Sequence, residues 1–522
     1  MSDADRAAWR RHLGEDVAAS ALRERLTAGT LSGCFAATAA ERTDVPALDI
    51  DGAAATHGEL DDRAARVAGF LRARGVAQGD RVLLCAPTSL DLVVAYLGTL
   101  RAGATAMPCD AALTADELAH LLGDARPVAA FVAPGARERL DRAAAGAGRV
   151  ASVVAIGGPG DGLPALADAL EARPFAPEPD PGPAMLAYTS GTSGRPKGVP
   201  LTHANVLASI RGAMLAWRWR PDDVLVHALP LSHQHGLSGL HATLLAGSRA
   251  VVAGRFEPAA LCATIAAQRA TVLFAVPAIY ERLDSWEGIA RADLSSLRLA
   301  VSGSAPLSPA LADRAASWLG QVPLERYGST EAGLDVSNPY DGPRRPGRVG
   351  WALPGVELRL ADDGEILLRG PQVFGGYWHS PEATAEGLSA DGWFRTGDLG
   401  RVDEGDGSLE ITGRSKELII TGGLNVYPRE VEVVLEEHPA VERVAVAGVP
   451  SERWGEEVVA FVVAAGALDA EALIALCRER LSAYKCPKRV MVLDEIPVNR
   501  MGKVRRGALA SMAGEGTVGG GD

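Results

Sequence analysis

The stretch YTSGTSGRPKG, from Tyr188 to Gly198, gathers glycines, hydroxyl side chains and one lysine directly after an apolar run. Glycines let the backbone adopt positive φ and approach closely, so successive N–H groups can converge on an anion. The hydroxyls add donors, and Lys197 supplies a mobile positive charge. Because Gly198 follows Lys197, the stretch does not match GxxxxGK[ST], which disfavours the usual P-loop NTPase. The pattern predicts a phosphate-binding loop, with a flexible connection as the plainer alternative.

Apolar runs alternate with helical stretches on both sides of this loop. RVLLCAP (81–87) and VAAFVA (128–133) precede it, and similar runs continue through residues 185–326. Two capping boxes mark helix starts, Thr56 with Glu59 and Thr114 with Glu117. Strands that are apolar throughout and alternate with amphipathic helices predict parallel sheets covered on both faces. We therefore predict an α/β fold with two doubly wound βαβ subdomains.

The residue pattern of the sequence changes after this region. Residues 346–413 consist of short β-prone pieces separated by Gly and Asp, which predict hairpins and a small β-barrel-like subdomain. After residue 417 a small α+β unit follows. We predict a large N-terminal domain over residues 1–413, a hinge at 414–417, a mobile C-terminal domain over 418–510 and a disordered tail over 511–522.

Length and composition limit the classes of protein that the chain can form. At 522 residues it exceeds the size of a single hydrophobic core, so at least two domains are expected. The formal net charge of −13 disfavours a nucleic-acid-binding protein, whose surface needs a basic stripe. The six cysteines form no CxxC pair, so neither a zinc site nor a disulfide framework is predicted. A polar N-terminus and the lack of about 18 consecutive apolar residues predict a cytoplasmic protein that does not bind membranes.

Four short motifs downstream of the loop carry further candidate site residues. They are RYGSTE (Arg326–Glu331), TGD (Thr396–Asp398), GRSKELI (Gly413–Ile419) and PVNRMGK (Pro497–Lys503). Each has a plain reading in isolation, since an Asp after Gly commonly forms a turn and a lysine near the C-terminus is usually a solvated charge. Their chemistry also suits a nucleotide: an aromatic face binds a purine, and a carboxylate binds Mg²⁺ or a pair of hydroxyls.

Together the loop and these motifs resemble the AMP-forming adenylating enzymes, which include acyl-CoA synthetases, peptide-synthetase adenylation domains and luciferases. The resemblance covers about residues 48 to 510. It implies an enzyme that uses ATP and Mg²⁺ to convert a small-molecule carboxylate into an acyl-adenylate, with release of pyrophosphate. Transfer to the thiol of CoA would follow. The C-terminal domain would rotate between the two half-reactions.

The resemblance implies roles for individual residues. The implied catalytic residues are Lys503, Thr192, Glu331 and His233, and Glu331 would also bind Mg²⁺. The implied nucleotide-binding residues are Thr189, Ser190, Gly191, Ser193, Gly194, Lys197, Gly303, Ser304, Ala305, Arg326, Tyr327, Gly328, Ser329, Thr330, Asp398 and Arg414. Lys416 would be the hinge residue. The implied acyl-side and CoA-side residues are Ser232, His235, Arg282, Asp335, Gly422 and Gly423.

Several of these roles are specific. Tyr327 would stack on adenine, and Asp398 would accept hydrogen bonds from the ribose hydroxyls. Lys197 would assist the departing phosphates, whereas Lys503 would reach the substrate carboxylate and the α-phosphate during adenylation. Both cations act where the anionic substrate carboxylate must approach the anionic phosphates. Without them, the repulsion between these anions would raise the activation barrier.

Within the family the chain is most similar to malonyl-CoA synthetases, on strings such as LPLSHQHGL (Leu229–Leu237) and RRPGRVG (Arg344–Gly350). An arginine can bind the second carboxylate of malonate, and Arg282 and Arg255 are candidates, although both could be surface charges. Malonate is therefore the favoured substrate.

The chain also departs from that subgroup. Ser232 replaces the aromatic residue that usually precedes His233, and Ser329 replaces a methionine. Asp335, if it faces the acyl pocket, would repel a dicarboxylate and favour a substrate with an amine or hydroxyl group.

Other functions remain open from the sequence. The enzyme could activate an aryl or amino-substituted acid and load it onto a carrier protein, which ends in the same thiol as CoA. It could activate another anion, such as nitrite, for reaction with an arylamine. A non-catalytic nucleotide-binding regulator is the alternative from another class, and the presence of Lys503 disfavours it.

Overall fold

Two large sheets form the framework of the N-terminal domain. The computed structural model describes residues 2–145, 150–158, 163–176, 182–189, 196–421, 424–451, 454–499 and 502–515. The strands of the two sheets are β1 (Pro46–Ile50), β2 (Ala53–Thr56), β3 (Arg81–Cys85), β4 (Thr105–Pro108), β5 (Ala129–Val132), β6 (Ser152–Ala155), β7 (Met185–Thr189), β8 (Lys197–Leu201), β9 (Val224–His227), β10 (Arg249–Val252), β11 (Val272–Ala275), β12 (Leu299–Ser302), β13 (Leu324–Ser329), β14 (Gly333–Ser337) and β15 (Trp351–Ala352).

Parallel pairing dominates both sheets. The six-stranded sheet has the order β6-β5-β3-β4-β7-β8, and β7 with β8 is its antiparallel pair. The nine-stranded sheet has the order β15-β14-β13-β12-β11-β9-β10-β1-β2, with antiparallel strands at both edges. Central strands such as β5, β11 and β12 are buried along their whole length, which explains their continuous apolar sequences. The predicted α/β fold is confirmed.

Helices cover and separate the two sheets. They are α1 (Asp3–Leu13), α2 (Ala19–Thr27), α3 (Leu31–Glu41), α4 (His57–Ala73), α5 (Leu90–Arg101), α6 (Ala115–Ala125), α7 (Arg137–Ala144), α8 (Leu166–Leu170), α9 (His203–Ala216), α10 (Gln234–Ala246), α11 (Pro258–Gln268), α12 (Pro277–Asp284) and α13 (Pro309–Leu319). Both predicted capping boxes form, at the starts of α4 and α6. Helix α5 contacts β1, β3 and β4, so it packs against strands of both sheets.

A smaller antiparallel sheet follows. It contains β16 (Glu357–Leu360), β17 (Glu365–Arg369), β18 (Phe394–Val402) and β19 (Leu409–Arg414), with helix α14 (Pro381–Gly387) between β17 and β18. The Gly- and Asp-rich turns of residues 346–413 separate these strands, as the change in residue pattern predicts. The last strand ends at Arg414, where a short 3-10 turn, Ser415–Glu417, begins.

The C-terminal region has a sheet and a core of its own. Its strands are β20 (Ile419–Thr421), β21 (Leu424–Val426), β22 (Val441–Ser451), β23 (Gly455–Ala464) and β24 (Arg489–Val492), and its helices are α15 (Pro428–Glu436), α16 (Ala470–Arg480) and α17 (Arg506–Glu515). Helix α17 extends past residue 511, so the predicted disordered tail begins too early. Leu509 and Ala513 are fully buried on α17 and hold it to the sheet.

The cysteines belong to the interior rather than to a site. Five of the six are buried and Cys34 is half-buried, and all six are free thiols. Among the described residues, no helix is long and apolar enough to cross a membrane.

Candidate active site

The predicted phosphate loop joins two paired strands. Thr189 ends β7 and Lys197 begins β8, and they lie opposite each other in the antiparallel pair. The predicted loop residues Ser190, Gly191, Thr192, Ser193 and Gly194 lie outside the described residues. Below the loop, the hydroxyl of Tyr188 donates to Asp124 at 2.5 Å, which attaches β7 to the end of α6. Both ends of the loop are therefore placed by regular structure.

The predicted ribose site is built from three side chains. The hydroxyl of Tyr327 donates to one oxygen of Asp398 at 2.7 Å, and Arg414 Nε lies 2.9 Å from the other oxygen. Asp398 and Arg414 face each other across β18 and β19, and Tyr327 comes from β13 of the nine-stranded sheet. A carboxylate has further lone pairs on each oxygen, so Asp398 can still accept hydrogen bonds from two hydroxyls. The three predicted residues thus come together.

Glu331 lies between the ribose site and the base of the phosphate loop. Its Oε1 accepts a hydrogen bond of 3.0 Å from the hydroxyl of Tyr377. Burial raises the pKa of Glu331, while the Tyr377 hydrogen bond and the nearby Arg414 oppose that shift. Lys197 Nζ lies over the Tyr377 ring, 4.9 Å from its centroid. A carboxylate and an ammonium group therefore flank one tyrosine.

The residues of this region fit a bound Mg²⁺. Within the described ranges, no group of three or more His, Cys, Asp and Glu could hold a metal alone. Mg²⁺ commonly binds through one or two carboxylates, with substrate phosphates and water completing its shell. Glu331 supplies such a carboxylate, so it would hold the ion together with the nucleotide.

Lys503 lies beside the ribose site although it belongs to the C-terminal domain. Its backbone N–H donates to Asn499 Oδ1 at 2.9 Å, and its Nζ lies 4.0 Å from Glu417. Burial and the nearby Arg414 lower the pKa of Lys503, whereas Glu417 and Asp398 oppose the shift. In this orientation of the two domains, the implied adenylation lysine faces the nucleotide residues.

A buried polar group adjoins the nucleotide residues. His235 is fully buried, and Ser304 Oγ lies 3.3 Å from its Nδ1. Burial, Arg326 and His227 lower the pKa of His235, so its ring is neutral near pH 7. A Cβ on Gly303 would lie 2.4 Å from Arg326 Nε, so glycine allows the guanidinium to lie against the backbone. His235 Nε2 and Arg326 Nε are buried without a hydrogen-bond partner.

Ser232 and His233 lie at the entrance between the two sheets. Ser232 lines an open groove of about 210 Å³ with Thr88, Asp110, Pro230 and Gly254. It also lines a small apolar cavity of about 10 Å³, which is room for roughly one water molecule. Burial lowers the pKa of His233, and Asp110 opposes the shift.

Asp335 is more deeply buried than its predicted role as a pocket charge requires. It is fully buried on β14, and Gln372 Nε2 donates to its Oδ1 at 3.2 Å. Burial raises its pKa well above the ordinary value, although Gln372 and the nearby Arg326 oppose this. Its Oδ2 is buried without a hydrogen-bond partner, and burial favours the neutral acid over the charged form.

The structure does not place Arg282 or Arg255 in a pocket. Both side chains are exposed, and the Arg282 guanidinium stacks over Phe256 at 4.5 Å from the ring centroid. Helix α12 buries Ile279, Tyr280 and Leu283 instead, so position 282 falls on its outer face. The interpretation of Arg282 as an acyl-site residue is therefore corrected.

The other predicted residues are distributed as follows. Gly328, Ser329 and Thr330 form the end of β13 and the turn to Glu331, and Ala305 follows the Gly303–Ser304 segment. Lys416 lies in the 3-10 turn after β19. Gly422 and Gly423 lie outside the described residues.

Tyr377 is a site residue that the sequence motifs did not indicate. It occurs in FGGYW (374–378), where an aromatic residue follows two glycines. That pattern alone does not distinguish a site residue from a core aromatic, and its position between Lys197 and Glu331 becomes evident from the fold.

Comparisons with known proteins agree with this geometry. The chain matches the family described as AMP-binding enzyme over residues 35–378 and the AMP-binding enzyme C-terminal domain over 430–503. It is 38% identical over 475 residues to a feruloyl-CoA synthase of Amycolatopsis sp, with 87% of this chain and 93% of the relative covered.

Solved structures are similar over nearly the whole chain. ATP-bound MatB from Rhodopseudomonas palustris has a TM-score of 0.86 and 38% identity, covering 92% of this chain and 98% of that one. The apo form of MatB, at the same identity and coverage, has a TM-score of 0.77. The amide bond synthetase McbA from Marinactinospora thermotolerans has a TM-score of 0.85 and 31% identity, covering 92% and 99% of the two chains.

Proposed function

Because this chain belongs to the AMP-binding enzyme family and is an ATP-dependent acyl-CoA ligase within it, we propose that it activates a small dicarboxylate such as malonate. The observation that carries the adenylation step is the convergence of charges from three parts of the chain. Lys197 begins β8, Glu331 follows β13, and Lys503 comes from the C-terminal domain. A site that only stored nucleotide would have little use for Lys503.

Each group has a task in the first half-reaction. A carboxylate oxygen of the substrate attacks the α-phosphorus, and the bond to the bridging oxygen breaks, so pyrophosphate leaves with that oxygen. Asp398 and Arg414 hold the ribose end of the nucleotide, and Lys503 approaches the reacting oxygens from the other domain. Lys197 stabilises the charge that develops on pyrophosphate. Mg²⁺, when bound, neutralises phosphate charge.

The second half-reaction requires an external thiol. The sulfur of CoA attacks the acyl carbon, the thiol proton is released, and AMP leaves with the oxygen of the former carboxylate. His233 follows Ser232, which lines the groove between the sheets where an acceptor would enter. All six cysteines are free thiols and five of them are buried, so the nucleophile of this step is the thiol of CoA.

The surroundings of Ser232 and His235 support a small, polar acid. Ser232 lines both an open groove of about 210 Å³ and a small cavity with room for roughly one water molecule, so a short acyl group can lie beside it. Arg326 and His235 each keep one buried nitrogen without a partner, and a second carboxylate could use such donors. Similarity to MatB supports the same choice. We also propose that the reaction takes place in the cytoplasm and serves biosynthesis.

The decisive experiment is ATP–pyrophosphate exchange with a panel of acids. The panel contains malonate, methylmalonate, straight-chain aliphatic acids and aminoaryl acids, with Lys503→Ala as the adenylation-deficient control. We expect malonate to support exchange and Lys503→Ala to lower the rate by about 100-fold or more, as for loss of an electrostatic catalyst. No exchange with malonate would reject the substrate, whereas no exchange with any acid would reject adenylation.

A second candidate concerns the acceptor. Similarity to McbA, an amide bond synthetase, favours an amine in place of CoA. Formation of the adenylate followed by separate addition of CoA, a carrier protein or an arylamine distinguishes these acceptors. Nitrite in place of the acid tests activation of another anion. Ser232→Phe, which restores the usual aromatic residue before His233, tests whether Ser232 sets the choice of acid.

A further inference from the structure

A short segment joins the two halves of the phosphate site. It comprises Phe374–Trp378 and is called the strap below. At one end, the backbone N–H of Phe374 donates to the backbone oxygen of Glu331 at 2.8 Å; at the other, Trp378 N–H donates to Gly198 O at 2.8 Å. Glu331 follows a strand of the nine-stranded sheet, whereas Gly198 belongs to the six-stranded sheet. The strap therefore fixes one sheet relative to the other at the nucleotide.

The side chain of Tyr377 projects from the strap between two charged groups. Its hydroxyl donates to Glu331 Oε1 at 3.0 Å. Its ring face receives the Lys197 ammonium at 4.9 Å from the centroid. Because the face of an aromatic ring is negative and the phenol O–H is a donor, one side chain satisfies a cation and an anion at different places.

Several contacts hold the Tyr377 ring in this position. Phe374 meets it edge-on, with the ring centroids 4.8 Å apart. The backbone N–H of Tyr377 donates to Thr384 Oγ1 at 2.9 Å. A Cβ on Gly198 would lie 2.8 Å from the Cβ of Trp378, so the close approach of the strap to β8 requires glycine.

Glu331 and Lys197 would otherwise be natural partners. An ion pair between them would occupy the oxygens needed for Mg²⁺ and the ammonium needed for the β- and γ-phosphates. Tyr377 lies between the two charges and gives each a weaker, fixed contact, which a nucleotide and its metal can supplement without first breaking an ion pair.

We propose that Tyr377 is a positioning residue that keeps Glu331 and Lys197 apart and directs each toward the phosphates of MgATP. The hydroxyl positions Glu331, which would bind the metal, and the ring positions Lys197, which would bind the phosphates. The inference rests on the assignment of the ATP site above. It predicts that the two halves of the side chain can be separated by substitution.

Two substitutions separate them. Tyr377→Phe removes the hydrogen bond to Glu331 but keeps the ring under Lys197. We expect it to weaken Mg²⁺-dependent ATP binding by about tenfold, as for loss of a hydrogen bond to a charged group, and to leave ATP binding without metal unchanged. Tyr377→Leu removes both contacts, and we expect a further loss of about threefold that persists without metal. Calorimetric ATP titrations at increasing Mg²⁺ measure both effects without turnover.

Double substitutions test which partner each half serves. The losses of ATP-binding free energy caused by Lys197→Met and Tyr377→Phe should add fully, because Tyr377→Phe keeps the ring contact with Lys197. The losses caused by Lys197→Met and Tyr377→Leu should add less than fully, because both substitutions remove that contact. Glu331→Gln should be less than additive with Tyr377→Phe. Tyr484→Phe, in the C-terminal domain, is the matched control and should change none of these quantities.

The outcomes are distinguishable. The inference would be overturned if Tyr377→Phe and Tyr377→Leu weakened ATP binding equally at every Mg²⁺ concentration and also lowered the melting temperature. That result would indicate that Tyr377 serves only packing. Wild-type affinity in Tyr377→Phe would also overturn it while leaving the ATP site intact. Lack of ATP binding by the wild-type protein would instead reject the site, and the inference with it.

Discussion

At the scale of single residues, Lys503 carries its charge in a half-buried position beside Arg414. Burial and Arg414 both lower its pKa from the ordinary value of 10.5. Adenylation needs the protonated amine, so activity is present below the folded-state pKa and is lost as pH rises through it. We expect pyrophosphate exchange to decline at a lower alkaline pH than an ordinary surface lysine would give, measured as a pH–rate profile with saturating ATP and acid.

Lys503→Arg provides the control for this titration. Arginine stays protonated across the accessible range, so the alkaline decline should move upward or disappear even if the rate is reduced. A decline at the same pH in both proteins would assign it to another group.

The resemblance to adenylating enzymes implied the site residues that lie within short sequence motifs. Tyr327, Asp398, Arg414 and Lys503 lie in recognisable strings, and the structure brings them together. Arg282 was a wrong choice for the pocket, because its orientation depends on which face of α12 is buried. The contact of Tyr377 with Glu331 joins residues 46 positions apart, and no local pattern encodes it.

At the scale of elements, the approach of the strap to β8 depends on Gly198. Alanine there would place its Cβ 2.8 Å from the Trp378 side chain, so strand or strap must shift. We expect Gly198→Ala to lower the free energy of unfolding by about 1–3 kcal/mol, as for overpacking, and to weaken ATP binding. Chemical denaturation and calorimetry measure the two effects.

The neighbouring Gly375 gives a matched comparison. A Cβ on Gly375 would have nothing within 4 Å, so Gly375→Ala should stay within about 0.5 kcal/mol of wild-type stability. Similar losses in both variants would show that the segment is sensitive to any added side chain and would contradict the packing argument.

Element types were largely predictable because long apolar runs and capping boxes are local signals. Helix α4 begins at the predicted box, and its apolar face is buried. The predicted tail included the last turn of helix α17 because residues 511–522 are rich in glycine and small side chains, and the burial of Ala513 depends on tertiary packing.

At the scale of the whole molecule, the orientation of the two domains brings Lys503 near Asp398 and Arg414, as the proposed adenylation step requires. The similarity is greater to ATP-bound than to apo MatB, with TM-scores of 0.86 and 0.77. Across the domain boundary, Arg443 Nε lies 4.0 Å from Glu281, and a Cβ on Gly502 would lie 3.7 Å from Ala278 Cβ. Helix α12 is therefore a surface on which the C-terminal domain rests.

Charge reversal tests whether this pair favours the adenylation orientation. Glu281→Arg places two like charges together, so we expect adenylation to slow by about twofold to fivefold, a small effect because both side chains are partly exposed. Thioester formation from added acyl-adenylate should not slow. Glu281→Arg combined with Arg443→Glu should recover the rate, and failure of that recovery would exclude the pair as the cause.

Buried histidines should make the folded protein sensitive to acid. Burial lowers the pKa of His12, His203 and His227 from 6.5 to about 4. The unfolded chain therefore binds protons between these values that the folded chain does not. Stability is fully present above 6.5 and falls with pH through the window, by about 2 kcal/mol per histidine at pH 5. Urea denaturation across this range measures it.

Buried carboxyl groups act in the opposite direction, and Glu325 is an example. Burial raises the pKa of Glu325 to about 8, so its folded form binds a proton where the unfolded form does not, and this offsets part of the loss. His241, which stacks with Phe35 and Tyr96 and has a pKa lowered to about 3, offers a control. His241→Phe should reduce the pH dependence of the free energy of unfolding by the equivalent of about one proton. An unchanged pH dependence would contradict the assignment.

The state of the cysteines has a consequence for an enzyme that manufactures an acylating agent. An acyl-adenylate modifies any accessible thiolate, including those of the protein that made it. Burial raises the pKa of Cys85, Cys109, Cys262, Cys477 and Cys486, so these thiols are both shielded and protonated. Acylation of the enzyme by its own intermediate is therefore disfavoured at these five positions.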